Sequence, residues 1–269
     1  MPLAVCATPI GNLDDVTLRV LAELRGADVV LCEDTRHTRR LLERHGISAR
    51  LLSYHDHNEA ARTAELLPRL AEGERMALVS DAGLPGVSDP GARLVRAALE
   101  AGLPVTVLPG PSAVETALVA SGLVAQRYQF LGFLPRGEKA LAGLWQELRA
   151  WPWPTVAFES PQRLPRTLRS LGAAAPDVAV AVCRELTKRF EEVARGTATE
   201  VAQRFADPPK GEITLVVAPA ATPAPETGED EALAAVTELV EAGVPRRRAA
   251  GIVAGLTGLP RNRLYRGSL

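Results

Sequence analysis

Short aliphatic and β-branched runs alternate with longer helical patterns through the first 110 residues, and this alternation constrains the fold more than any other feature. The runs are residues 3–7, 29–32, 51–54, 76–80 and 105–108. Apolar residues recur at helical spacing between them, in residues 16–25, 36–44, 59–71 and 92–101. A glycine near the end of each helical pattern indicates where that helix stops. The alternation predicts an α/β fold with a parallel sheet.

The same alternation continues after a proline- and glycine-rich boundary near residues 110–122. Strands are predicted at 128–133, 155–159, 178–183 and 213–218, with helices at 138–150, 161–171 and 199–206. We therefore predict an N-terminal α/β domain over residues 1–112 and a C-terminal α/β domain over residues 113–218, with a ligand cleft between them.

The last fifty residues have a different composition. Residues 219–228 are rich in Pro, Ala and Thr without apolar periodicity, which predicts an extended linker. Residues 229–269 form a predicted small helical unit with a basic tail. Its first helix, over residues 229–242, has five acids and no base, whereas residues 244–269 carry six arginines and no acid. The net charge of -1 for the whole chain therefore conceals a separation of acidic and basic residues within this unit.

The arginine-rich segment reads as a helix, a glycine-containing turn and a second short helix, which is the outline of a helix-turn-helix. We predict that it binds RNA phosphates through Arg246, Arg247, Arg248, Arg261 and Arg263. The alternative is a helical hairpin that only packs on the body of the protein or on a dimer mate.

Composition and cysteine usage narrow the functional classes. At 46% apolar and 23% charged residues, the chain resembles neither a disordered polymer nor a uniformly basic nucleic-acid coat. Prolines and glycines interrupt its most apolar stretch, residues 103–125, so no transmembrane helix is predicted. The first residues lack the positive segment of a signal peptide. Cys6, Cys32 and Cys183 are expected to be buried free thiols, and the expected location is the cytoplasm.

The densest motif is residues 79–91, a loop between a predicted central strand and a helix. Its thirteen residues include three glycines, two prolines and two aspartates. Ordinary connections between a strand and a helix have about 2–6 residues. Ligands of open α/β sheets bind where strands end, and Asp81 offers a carboxylate there. We therefore favour a ligand-binding loop over a plain connection.

Two further loops follow strands of the first domain. Residues 108–113 are also rich in proline and glycine, and Ser112 is placed to cap the next helix. Residues 8–13 lack the G-x-G-x-x-G spacing of dinucleotide sites, and the chain has no phosphate-binding G-x-x-x-x-G-K-[ST]. Nicotinamide, flavin and nucleoside triphosphate chemistry are therefore not favoured.

Charged clusters follow four other strands, at residues 33–36, 54–58, 158–163 and 184–189. Asp34 either caps a helix or serves function. The H-x-H pair in the second cluster has no third ligand at metal spacing, so a metal site is not predicted, and a substrate contact or a cap by Asn58 is favoured. The last two clusters are expected to face the first domain across the cleft; the alternative is a solvated charged surface.

These motifs together resemble the tetrapyrrole methylase superfamily over nearly the whole chain. The resembling segments are residues 8–13, 33–36, 55–59, 79–83, 89–91, 109–112 and 184–188. Within the superfamily they are similar to enzymes acting on small-subunit ribosomal RNA. The resemblance implies S-adenosyl-L-methionine as methyl donor, 2'-O-methylation of a cytidine ribose in the decoding region, and a homodimer.

The superfamily binds its donor in the cleft between two α/β domains. Here the resemblance implies cofactor contacts from loops at strand ends, through Pro9, Asp81, Ala82, Leu84, Ser112, Ala113 and Phe158. Leu84 departs from the family, which usually has Thr at this position. Arg36 joins the tail arginines as a predicted RNA contact.

Methyl transfer to a hydroxyl is an in-line displacement, so placing the oxygen and moving its proton suffice for catalysis. The candidate catalytic residues are Lys188, Glu185 and Asp34. Three alternative functions remain open: methylation of a tetrapyrrole, methylation of a histidine on a translation factor, and RNA binding without catalysis.

Overall fold

The structure is a computed structural model that describes residues 2–219 and 229–269, with the backbone alone for residues 229 and 230. The predicted linker therefore lies outside the described residues, apart from Pro219. The chain divides into two compact units, Met1–Ala218 and Pro219–Leu269. A domain boundary at residue 112 stays a prediction, because both predicted α/β domains fall in the first unit.

The first sheet is parallel throughout, as the alternating pattern predicts, and its strand order is β3-β2-β4-β1-β5. Its strands are β1 (Leu3–Cys6), β2 (Val29–Cys32), β3 (Leu51–Ser53), β4 (Met76–Val79) and β5 (Val105–Leu108). Every residue of β1, β2 and β4 is buried, because helices cover both faces of a parallel sheet.

The helices of this half begin and end close to the predicted positions. They are α1 (Leu18–Gly26), α2 (Thr35–Arg44), α3 (Glu59–Ala71) and α4 (Ala92–Glu100), and α5 (Ala113–Ser121) follows the last strand. Thr17 caps α1 and Asp34 caps α2 by accepting a backbone N–H, which confirms the capping interpretation of Asp34. Ser112 and Asn58 occupy N-cap positions without a side-chain capping bond, so those two capping predictions are wrong.

The second sheet is mixed, in the order β6-β7-β10-β8-β9, with β6 parallel to β7 and the other pairs antiparallel. Its strands are β6 (Gln129–Phe133), β7 (Thr155–Glu159), β8 (Ala179–Arg184), β9 (Glu192–Thr197) and β10 (Ile213–Val217). The helices here are α6 (Glu138–Arg149), α7 (Leu164–Ala174) and α8 (Ala198–Arg204).

Strand β9 has no counterpart in the sequence prediction. It is an edge strand with Ala194 as its one buried residue, and two charged residues and a glycine interrupt its apolar pattern. A strand of this kind is held by backbone pairing to β8 and not by burial of alternate side chains, so hydrophobic periodicity does not reveal it.

The loops that follow β1 and β4 pair with each other at the carboxyl edge of the first sheet. The Thr8 N–H donates to Gly83 O (2.8 Å), and the Gly83 N–H donates back to Thr8 O (3.1 Å). The Thr8 hydroxyl also donates to Ser80 O (3.0 Å). These bonds fix the start of the long loop over residues 79–91, whose far end leads into α4.

The second unit is helical, with α9 (Glu229–Glu241), α10 (Arg246–Thr257) and α11 (Arg261–Gly267). A small core formed by Ala232, Val236, Ala249, Ala250, Val253 and Leu264 holds the three helices together. A short turn with Gly258 in left-handed conformation joins α10 to α11, and this confirms the predicted outline of two helices with a glycine-containing turn. Within the described residues, no helix is long and apolar enough to cross a membrane.

Candidate functional site

A cavity of about 880 Å³ lies where the carboxyl edge of the first sheet meets the second sheet. One wall consists of loops that follow β1, β4 and β5, together with the first turn of α5. The facing wall comes from β6, the end of β7, β8 and the segment that enters β10. The volume is within the range of about 300–1,000 Å³ that small-molecule and cofactor sites have.

The loop wall brings backbone close to the cavity. Gly110 lies against β1, and a Cβ atom at this position would be 2.9 Å from Cβ of Ala7, so a side chain here would push the Pro-Gly-Pro loop away from the sheet. The loop after β4 reaches the second sheet at Ser88, whose Oγ would be 3.3 Å from a Cβ at Gly132. The two sheets thus approach each other at one side of the cavity.

The facing wall is aromatic. The chain has five phenylalanines, and three of them, Phe130, Phe133 and Phe158, line this cavity. The ring of Phe158 makes edge contacts with Phe130 (4.9 Å between centroids) and with Phe133 (5.6 Å). Such a surface suits the flat face of a nucleobase.

Five of the predicted cofactor residues line the cavity, namely Ala82, Leu84, Ser112, Ala113 and Phe158. The other two, Pro9 and Asp81, lie in a separate small recess beside His37. There Asp81 Oδ1 accepts the N–H of Asp34 (3.1 Å) and lies 3.8 Å from His37 Nδ1. The Asp81 side chain thus links the end of β4 to the end of β2. Its contact with a cofactor stays a prediction.

The candidate catalytic residues Glu185 and Lys188 form an ion-pair cluster next to the cavity. Lys188 Nζ lies 2.9 Å from Glu185 Oε1 and 3.0 Å from Oε2 of Glu212, and Glu212 lines the cavity. Partial burial opposes a charge on Lys188, but the bonds to both carboxylates outweigh it and raise its pKa. Lys188 is therefore a cation at neutral pH.

The loop that carries this cluster has a constrained backbone. Glu185 and Thr187 have positive φ angles of 53° and 64°, which non-glycine residues rarely adopt. Thr187 Oγ1 accepts the N–H of Asn12 (2.9 Å), and a Cβ at Gly11 would be 2.7 Å from the same oxygen. The loops after β1 and β8 are thus packed against each other, and strain of this kind is typical of functional sites.

The third catalytic candidate, Asp34, has its carboxylate fully engaged. It accepts the N–H of Arg36 (2.8 Å) and bonds the Arg36 guanidinium through both oxygens (3.1 and 2.7 Å). These bonds hold the pKa of Asp34 far below its usual range. The Arg36 side chain is 84% exposed although its guanidinium is paired with Asp34.

Two carboxylates that the sequence interpretation did not single out are held firmly in the cavity wall. Ser112 and Tyr128 both donate to Glu115; burial opposes the charge, but these bonds outweigh it and lower the Glu115 pKa. Glu159 is 2% exposed and accepts from the Ser160 N–H (2.7 Å) and the Thr167 hydroxyl (2.5 Å), and it pairs with Arg163.

A third such carboxyl, Asp89, has different surroundings. Burial is the main cause that raises its pKa to about 6, and the nearby carboxylates of Glu33, Asp81 and Asp56 add to the effect against a hydrogen bond from Ser80. Asp89 is one of the two aspartates in the motif over residues 79–91, but the sequence patterns assign it no role of its own.

Sequence reasoning also missed the segment that enters β10. Gly211, Glu212, Ile213 and Thr214 all line the cavity, as do Cys183 and Leu186 near the end of β8. The Pro-Pro-Lys-Gly sequence at residues 208–211 predicts a turn before β10, and this turn could have identified the segment. Among the described residues, no three His, Cys, Asp or Glu side chains are grouped to hold a metal ion.

In the second unit, the predicted RNA contacts lie on α10 and α11. Arg247, Arg248, Arg261 and Arg263 are exposed and Arg246 is half-buried. The Arg261 guanidinium donates to Arg247 O (3.1 Å), which ties the two arginine-bearing segments together. The unit therefore presents several cations from two neighbouring helix starts.

Two family models match the chain. Residues 2–202 match the family described as Tetrapyrrole (Corrin/Porphyrin) Methylases, and residues 226–267 match the RsmI C-terminal HTH domain. Among solved structures, the methyltransferase CobJ is similar with a TM-score of 0.63 and 21% identity, covering 82% of this chain and 95% of that one. Uroporphyrin-III C-methyl transferase from Thermus thermophilus complexed with S-adenyl homocysteine is similar with a TM-score of 0.56 and 17% identity, covering 80% and 97%. These two likenesses concern the fold.

Relatives with a closer sequence extend over both units. The chain is 46% identical over 265 residues to Ribosomal RNA small subunit methyltransferase I of Micromonospora olivasterospora, covering 98% of this chain and 85% of that protein. It is 42% identical over 270 residues to the protein of the same name in Synechocystis sp., covering 99% and 97%. The chain belongs to the tetrapyrrole methylase family, in the group of the ribosomal RNA small subunit methyltransferase I proteins.

Proposed function

We propose that this protein is an S-adenosyl-L-methionine-dependent methyltransferase that 2'-O-methylates the ribose of a cytidine in the decoding region of small-subunit ribosomal RNA. The observation that carries the proposal is the match of both units, over nearly the full length, to relatives named for methylation of this RNA. The position of the methyl group follows from the resemblance of the motifs to the family.

The cavity is the site that we propose for the donor. Phe130 and Phe158 offer an aromatic surface to an adenine ring, and the loops at Ala82 to Leu84 and at Ser112 to Ala113 offer backbone groups beside it. S-adenosyl-L-methionine supplies a methyl group bound to a positively charged sulfur. The walls of the cavity limit the access of water and orient the acceptor, and orientation alone accounts for a large part of the rate of an in-line displacement.

On the acceptor side, we assign Lys188 and Glu185 to the binding of the RNA. Lys188 is a cation beside the cavity, and Glu185 fixes its position by a bond of 2.9 Å, so the pair suits a phosphate next to the target ribose. Asp34, the third catalytic candidate, holds Arg36, and Arg36 is the proposed RNA contact of the first unit.

The second unit supplies the remaining proposed RNA contacts, Arg246, Arg247, Arg248, Arg261 and Arg263. Phosphate contacts fix position and carry affinity without reading sequence, which suits a unit that brings RNA to a separate catalytic cavity. The substrate we propose is the RNA within the small ribosomal subunit, in the cytoplasm.

We further propose a homodimer. Edge strand β5 and helix α5 carry exposed aliphatic side chains, with Val107 52% and Val119 68% exposed, and large aliphatic residues on a sheet edge are typical of association surfaces. The mass of the protein in solution by light scattering checks this proposal.

The test is transfer of a labelled methyl group from the donor to small ribosomal subunits and to free small-subunit RNA, followed by nucleoside analysis. We expect 2'-O-methylcytidine, with more transfer to the subunit. Label on a tetrapyrrole or on a histidine of a translation factor, with none on RNA, would contradict the proposal. RNA binding without donor binding in calorimetry would instead indicate a non-catalytic module.

A further inference from the structure

Four carboxyl side chains line the cavity among the described residues, and they differ in what they bind. They are Asp89, Glu115, Glu159 and Glu212. Glu115 accepts from Ser112 and Tyr128, and Glu212 is paired with Lys188. The fourth member of this group, Glu159, is enclosed by donors from the start of α7. Each of these three carboxylates is thus engaged in holding the wall.

The charged groups around Asp89 are acidic. Those that act on it most strongly are Glu33 from the end of β2, Asp56 from the loop after β3 and Asp81 from the end of β4. The neutral hydroxyl of Ser80, which lowers the pKa of Asp89, donates to the carbonyl of Gly83 (3.2 Å). A carboxylate in this environment gains stability by accepting a proton, whereas the three others would lose bonds by doing so.

The other titratable groups in the wall are unsuited to take up a proton near neutral pH. Burial raises the pKa of the Cys183 thiol to about 11, and the bond to Glu115 raises the pKa of Tyr128, so both stay protonated. Lys188, beside the wall, is also protonated. Asp89 therefore combines an acceptor oxygen in the cavity wall with a raised pKa.

The position of Asp89 places it next to the loops expected to hold the donor. It belongs to the same loop as Ala82 and Leu84, and Ser88, the residue before it, makes the close approach to Gly132 of the second sheet. The backbone of Ser88 has a positive φ of 62°, so the conformation that presents Asp89 is built into the loop at a cost in strain.

We propose that Asp89 is the catalytic residue that accepts the proton of the acceptor hydroxyl during methyl transfer. This assignment rests on the proposed function. The acceptor oxygen forms its bond to the methyl carbon as the carbon–sulfur bond breaks, the electron pair of that bond stays on sulfur, and the hydroxyl proton goes to Asp89. Solvent removes this proton before the next turnover.

The test compares Asp89→Asn with the full-length wild type in single-turnover methyl transfer to small ribosomal subunits. Asn keeps the size of the side chain and removes the proton acceptor, so the rate should fall by about 10²- to 10⁴-fold, the usual contribution of a general base. Donor affinity by calorimetry should stay within about threefold, because the interaction is made in the transition state. Asp177→Asn, an exposed carboxylate in a turn, is the matched control and should keep the wild-type rate.

A second pair of measurements uses the wild-type protein alone. The carboxyl of Asp89, followed by carbon NMR in the donor-free protein, should titrate near pH 6, and the wild-type single-turnover rate should fall as pH decreases through that value. Circular dichroism over the same pH range shows whether the protein stays folded.

Three outcomes would overturn the assignment: an Asn variant with a rate within about threefold of wild type, a rate independent of pH between 5 and 7.5, or a loss explained wholly by weaker donor binding. Wild-type protein that methylates no RNA would contradict the proposed function, and the assignment with it. An active wild type with an equally active Asn variant contradicts the assignment alone.

Discussion

Among single residues, Gly211 has a decisive position beside the ion-pair cluster of Glu185, Lys188 and Glu212. Any other residue at this position would force the Glu185 side chain to move. Gly211 has a φ of +97°, and a Cβ at this position would be 2.4 Å from Cγ of Glu185. Glu185 Oε1 accepts the N–H of Glu212 (3.0 Å) and holds Lys188. The side chain of Glu185 thus occupies the space that only a glycine leaves open.

We predict that Gly211→Ala destabilises the protein and detaches Lys188. The new methyl group forces Glu185 to move, which breaks its bonds to the Glu212 N–H and to Lys188. Gly73→Ala is the matched control, because Gly73 has a similar φ of +95° with nothing within 4 Å of its would-be Cβ. Both variants carry the cost of a side chain at positive φ.

The free energy of unfolding, from urea titration, should fall about 1.5–3 kcal/mol further for Gly211→Ala than for Gly73→Ala, which is the contribution of a hydrogen bond to a charged group. Equal losses for the two variants would show that Glu185 adapts freely. The methyl transfer rate should fall for Gly211→Ala alone.

At the scale of elements, a buried carboxylate fixes the start of α7 relative to β7. Glu159 ends β7, and its two oxygens bind the Ser160 N–H, Thr167 within α7 and Arg163 just before the helix. Arg163 in turn donates to the carbonyls of Leu134 (2.6 Å) and Pro135 (3.0 Å), which follow β6. One side chain therefore organises three segments around the aromatic wall.

We predict that Glu159→Gln lowers the free energy of unfolding by about 1–3 kcal/mol, because the amide NH2 of Gln would face donors that need an acceptor. Glu147→Gln, at an exposed position of α6, is the control and should change stability by less than about 0.5 kcal/mol. Urea unfolding followed by circular dichroism measures both. A Gln variant as stable as wild type would mean that the start of α7 does not depend on this carboxylate.

On the largest scale, the molecule consists of two compact units, and the second has a small core of its own. The first unit contains the cavity, and the second carries a concentrated set of arginines. Because we propose the donor site in the first unit and RNA contacts in the second, substitutions in the second unit should weaken RNA binding and leave donor binding unchanged.

We predict that replacing Arg246, Arg247 and Arg248 by Gln weakens RNA binding and flattens its salt dependence, because each lost phosphate contact reduces the slope of log affinity against log salt by about one. Donor binding by calorimetry should not change. Gln at Arg19, Arg96 and Arg169, three exposed arginines of the first unit, is the control. If the salt slope of the tail variant equals that of wild type, these arginines do not contact phosphate.

The sequence alone determined the local elements and the family. The alternation of apolar runs predicted the parallel sheet and its helices, and the long Pro-Gly loops at strand ends indicated which loops line the cavity, because both signals are local in the chain. Five of the seven predicted cofactor residues line the cavity.

Local patterns did not show which strand-end residues share that cavity, because the order of the strands in the fold sets this. The tertiary structure separated Asp81 and Pro9 from Leu84, although Asp81 and Leu84 lie three residues apart in the same loop, and it added β9, whose pairing to β8 leaves no periodic pattern. It also distinguished the carboxylates: Asp34 and Glu159 bind neighbouring donors, whereas Asp89 lies among acids. The physical reason is that burial and charge at a site depend on segments far apart in sequence, brought together by the order of the strands.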